Sequence, residues 1–116
     1  MDSFEVEISE IENVQVFQVK GYFAKDAGMN VLQKAEELLK SGKNRMVLDV
    51  SQSKVISSPG VSTILDLTFK VIDDFKGCLV LSGLNDLKTS VLTMSGVIPL
   101  AKAAADIQAA VKVAKE

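Results

Sequence analysis

The sequence contains no histidine and no tryptophan, and only one cysteine, one tyrosine and two prolines. Without histidine there is no Ser-His-Asp or Cys-His relay to activate a nucleophile, no histidine-bearing metal site and no histidine phosphorelay. Most routes to an enzyme are closed, so no catalytic residue, cofactor or metal is assigned. One cysteine excludes an intramolecular disulfide. Cys78 lies in the apolar run Cys78-Leu79-Val80-Leu81 and is expected to be buried as a small hydrophobe. Positive charge is not in surplus either: 13 basic against 15 acidic residues leave a net charge of −2. Neither nucleic-acid phosphates nor anionic lipid is an expected partner for such a balance. No apolar run is long enough to span a bilayer, and the start Met1-Asp2-Ser3-Phe4-Glu5 lacks the basic and apolar stretches of a secretory signal. A cytoplasmic protein is expected.

What remains is ordinary globular material, 47% hydrophobic and 24% charged over 116 residues. That is enough chain for one domain with its own core. Phe4, Val6 and Ile8 alternate with polar residues, and Val14, Val16, Phe17 and Val19 follow Glu12-Asn13, the pattern of two strands joined as a hairpin. Asp26 is expected to cap a helix over 27–41, with Val31, Leu32, Ala35, Leu38 and Leu39 on one face, a Glu36/Lys40 pair on the other and Gly42 as its stop. The nearly continuous run Met46-Val47-Leu48-Asp49-Val50 predicts a central strand covered on both faces.

After a polar loop from Ser51 to Ser57, the spacing predicts a second helix over 59–75. Its apolar stripe includes Val61, Ile64, Leu65 and Ile72, and its wet face Thr63, Asp66, Lys70 and Asp74. A strand from Cys78 to Leu81, a helix marked by Leu84, Leu87, Val91 and Leu92 and ending at Gly96, a short strand at Leu100 to Lys102 and a helix over 105–115 complete the order. The expected fold class is α/β, a mainly parallel mixed sheet with a hairpin start and covering helices.

Ligand sites in open α/β sheets gather beyond the carboxyl ends of the strands, which points to Ser51 through Gly60. Within Ser57-Ser58-Pro59-Gly60, Ser58 reads first as an N-cap, with Pro59 suited to the first helical position. A second reading makes Ser58 a phosphorylation site, because a helix N-terminus accepts a phosphate. Ser57 is the alternative acceptor. Asp49 is expected to fix the Ser51–Ser53 turn through its side chain, and Asp73-Asp74 to be a solvated face.

The whole chain resembles the STAS domain, the family of bacterial anti-sigma factor antagonists that also includes appended domains of sulfate transporters. The resemblance is carried by Val19-Lys20-Gly21, by Met46 to Ser51, by Ser58 and Gly60 in the family's Asp-Ser-Ser-Gly motif, by Leu92-Thr93-Met94-Ser95-Gly96-Val97 and by Asp106 to Ala110. It implies one STAS-like domain over residues 1–116, acting by partner switching. The partner would be an anti-sigma factor that is also a serine protein kinase, met through Ser57, Ser58, Pro59, Gly60, Ser62 and Thr63 and released on phosphorylation of Ser58. Ser57 stands where the motif has Asp, Pro59 where it has its second Ser, and Ala24 where an acidic residue often follows Gly21. Asp26 is close enough in sequence to substitute. The alternative is a STAS-like module binding a nucleotide or lipid head group at the same helix N-terminus. The oligomeric state is left open.

Overall fold

A computed structural model describes residues 3–116; Met1 and Asp2 of the acidic start lie outside the described residues. Strands β1 (Phe4–Ile11) and β2 (Val14–Gly21) form the expected hairpin, with Ile11 opposite Val14. Its two-residue turn places Glu12 and Asn13 at φ 51° and 69°, the twist that matches a right-handed ribbon. The chain continues through α1 (Lys25–Lys40), β3 (Arg45–Gln52), α2 (Ser58–Phe69), β4 (Cys78–Ser82), α3 (Asp86–Met94), β5 (Lys102–Ala104) and α4 (Ile107–Lys115).

The five strands lie in chain order, and every pairing after the hairpin is parallel. Right-handed crossovers that always advance in one direction across a sheet put their helices on one face. Accordingly Phe17, Val19, Met46, Leu48, Leu79 and Leu81 share a core with Val31 and Ala35 of α1, Ile64 and Leu67 of α2 and Leu92 of α3. The last helix is left for the other face, where Ala110, Val111 and Ala114 cover Val14, Val16, Val47 and Val80. β3 is central and buried from both sides, as its apolar run requires.

Several local expectations are corrected. The N-cap of α1 is Ala24, with no side-chain cap; Asp26 falls in the first turn, where its charge still favours the helix N-terminus. The second helix does not run evenly to residue 75 but passes into a π-helical turn, Lys70–Asp74, closed by the Phe75 amide donating to the Lys70 carbonyl. The apolar residues Leu67, Val71 and Phe75 keep a four-residue spacing across this turn, so the sequence gives no sign of it. The fifth strand lies two residues later than expected, after a turn through residues 98–100. Cys78 is half-buried, not fully buried, because it sits at the start of β4 on the margin of the core under α4.

Candidate functional site

The chain enters α2 through a segment held on both sides. Ser53, fully buried, donates its hydroxyl to the Val19 carbonyl at 3.0 Å. Two residues on, the Phe23 amide donates to the Val55 carbonyl at 3.0 Å, and the Ser57 amide donates to the Phe23 carbonyl at 2.9 Å. These bonds make a one-residue parallel bridge between Phe23 and Ile56, a continuation of the β2/β3 pairing past the end of the strands. The position of α2 is therefore set by the sheet. Gly60 permits the closeness, since a Cβ there would overlap the Phe23 carbonyl.

At this helix start the roles of the two serines are exchanged relative to the first reading. Ser57 is the N-cap: its Oγ accepts from the Gly60 amide at 3.2 Å, and its backbone is extended. Ser58 is the first helical residue and Pro59 the second, a position where the missing N–H is still harmless. Ser58 is exposed, and its hydroxyl makes no hydrogen bond among the described residues, while Ser57 is half-buried with its oxygen engaged. Pro59 and Ser62 are also exposed and lie on the same helix start.

Thr63 is not on that surface. It is buried where α1 and α2 cross, its hydroxyl donates to the Gly60 carbonyl at 2.6 Å, and a Cβ on Gly28 of α1 would overlap it. A glycine on the facing helix drew this threonine inward, which its own periodicity could not reveal. Gly60 is likewise buried. The exposed candidates are thus Ser58, Pro59 and Ser62, with Ser57 behind them.

Beneath the site, at the carboxyl ends of β3 and β4, lies a buried polar cluster. Asp49 accepts from the Ser82 hydroxyl at 2.8 Å and from the Ser51 hydroxyl at 2.6 Å, so its turn-fixing role extends to the neighbouring strand. Lys88 of α3 donates to the Val50 carbonyl at 2.8 Å and is nine-tenths buried. Burial lowers its pKa from the usual lysine value, with the charge of Asp49 acting weakly in the opposite direction. Sequence reading missed Lys88. The signal was present: Lys88 stands four residues before the apolar Leu92, the i,i+4 spacing that puts a lysine on the buried stripe of α3. Among the described residues no group of three or more His, Cys, Asp or Glu side chains comes together as a metal site, and no helix is long and apolar enough to cross a membrane.

No family model matches the chain, and no curated protein matches it in sequence. Solved structures do match in shape. An RsbS variant from Moorella thermoacetica superposes with a TM-score of 0.82 at 14% identity, covering 96% of this chain and 95% of that one. An anti-sigma factor antagonist from Mycobacterium paratuberculosis gives 0.81 at 15% identity over 99% and 97% of the two chains. The Bacillus cell fate determinant SpoIIAA in its phosphorylated form gives 0.71 at 18% identity over 96% and 99%. The chain has the fold of these proteins, the STAS fold anticipated from its motifs.

Proposed function

From that fold, we propose that the chain is a non-catalytic regulatory module of the cytoplasm that works as an anti-sigma factor antagonist. It binds an anti-sigma factor that is also a serine kinase, through the α2 start at Ser57, Ser58, Pro59 and Ser62. The observation that carries this reading is the exposed Ser58 hydroxyl on the first turn of α2, free of hydrogen bonds among the described residues, beside a Ser57 that already provides the cap. Phosphoryl transfer would move the terminal phosphoryl group of ATP to Ser58 Oγ, releasing ADP and the hydroxyl proton. The new dianion would sit against the open N–H groups of a helix N-terminus, which favour it, so the domain itself tolerates the modification. The bound partner does not. A charge left unpaired in an interface costs on the order of 2–5 kcal/mol, which corresponds to a loss of affinity of roughly 30-fold to a few thousand-fold.

Support also comes from the company the fold keeps: one protein of this shape, SpoIIAA, is known both in an unphosphorylated and in a phosphorylated form. The deciding experiment is affinity capture from native lysate with the parent chain and with Ser58→Asp, followed by mass spectrometry and calorimetry on the purified partner. The expected result is a kinase-like ATPase retained by the parent and bound measurably more weakly by Ser58→Asp, with phosphate incorporation abolished by Ser58→Ala. Labelling at Ser57, or equal binding by Ser58→Asp, would show that Ser58 is not the switch.

A further inference from the structure

The loop that leads into Ser58 forms one wall of an apolar groove whose other wall is α3. Val55 and Val61 face Leu87 and Val91 across a cavity of about 170 Å³, and Lys54 and Lys88 also line it. Side chains that would normally be covered stand open here: Leu87 is 72% exposed and Val55 51%. An opening of this volume is smaller than the roughly 300–1,000 Å³ of a small-molecule pocket and suits a side chain of a docked segment. Of the described residues lining it none is acidic, in a chain whose net charge is −2.

Lys88 gives the groove its chemistry. Its ammonium carries three N–H donors, and the Val50 carbonyl is its one hydrogen-bond acceptor among the described residues. Asp49, whose opposite charge acts on the lysine, accepts from the Ser51 and Ser82 hydroxyls and makes no hydrogen bond to Lys88 among the described residues. A nine-tenths buried cation with donors to spare, lining an apolar groove, is matched by a carboxylate carried in on an apolar segment.

We propose that this groove receives an acidic amphipathic segment of the partner protein, an apolar side chain entering between Val55 and Leu87 while a neighbouring carboxylate meets Lys88 and Lys54. The proposal deepens the partner-binding role and rests on it, because the same loop carries the groove wall and Ser58. It also predicts a direction for the lysine: an incoming carboxylate favours its charged form and reverses the effect of burial.

The test uses the full chain and a synthetic peptide of leucine and glutamate with one apolar and one acidic face, followed by backbone amide NMR. Two controls accompany it, the same peptide with lysine in place of glutamate, and decanoate as a lipid-like anion. Shifts confined to the amides of 54–58, 60–61 and 87–92 with the acidic peptide are expected, together with about tenfold weaker binding by Leu87→Glu. That position is already exposed, so the variant folds. Lys88→Gln should weaken the acidic peptide more than it weakens an uncharged leucine and glutamine version. An equal response to the lysine peptide, shifts mapping elsewhere, no shifts at all, or decanoate entering where the peptide does not would each overturn the proposal. A chain that binds the peptide in the groove yet takes no phosphate on Ser58 would keep the groove and discard the switch; phosphorylation without peptide binding would do the reverse.

Discussion

Two adjacent serines do different work at one helix start, and a single atom separates them. The Ser57 oxygen satisfies the Gly60 amide, one of the donors that a helix leaves open at its beginning, whereas the exposed Ser58 oxygen makes no hydrogen bond among the described residues. Ser57→Ala should therefore lower stability by about 0.5–2 kcal/mol, while Ser58→Ala stays within about 0.5 kcal/mol of the parent. Urea unfolding of both variants checks this, and a larger loss for Ser58→Ala would show that the assignment of the cap is reversed. Local sequence offered both serines for the cap. What decides between them is the bridge from Phe23 to Ile56, which fixes where the extended chain stops, and that contact joins positions far apart in the sequence.

At the scale of elements, the α1–α2 contact depends on Gly28 meeting Thr63. Gly28→Ala removes a flexible residue from a helix, which alone favours folding, but the added methyl has no space beside Thr63. Overpacking of this kind costs about 1–3 kcal/mol, more than the helix propensity returns. A lowered denaturation midpoint with unchanged slope is expected, and Gly28→Ala paired with Thr63→Ala, which removes the hydroxyl that a new methyl would meet first, should recover part of it. The far end of the same helix pair is tied by Lys70 donating to Glu36 at 2.7 Å. The hydrogen bond from Lys70, then its charge and that of Lys40, hold the Glu36 carboxyl below its ordinary value of 4.5. A carboxylate with a depressed folded-state pKa contributes stability that is complete above the unfolded value and is lost as pH falls through the folded one. The stability difference between the parent and Lys70→Met should accordingly be present at neutral pH and shrink below pH 4.5, as read by thermal melts across acid pH; a difference that grows on acidification would contradict it. Strand and helix order were legible because period two and period 3.6 are local signals, read well where one face meets solvent, as in β1 and α1. The inward turn of Thr63 was not, since it arises from Gly28 on the facing helix, and the π turn after Phe69 leaves no mark in the apolar spacing; the burial of Lys88 was written in its spacing to Leu92 and was overlooked.

For the whole molecule, a sheet in simple chain order with three helices on one face leaves its loops beyond β3 and β4 on a common end, where Ser58, the groove and the Asp49 cluster gather. The fold was readable as a class from this alternation of strands and helices; which residues reach the surface at that end was not. Because Ser58 lies outside the packed cores, Ser58→Asp should leave the thermal midpoint within about 2 °C of the parent, the range of a neutral surface change, and differential scanning calorimetry would register any greater fall as evidence that the helix start is structurally committed to the hydroxyl. The bridge between Phe23 and Ile56 has a last consequence, in time. The proposed docking surface, already bound to its own sheet, would not wait to be assembled when a partner arrives. On the proposed role, encounters would proceed at the ordinary rate for rigid docking, about 10⁵–10⁷ M⁻¹s⁻¹, and a phosphoryl group on Ser58 would change how long each encounter lasts.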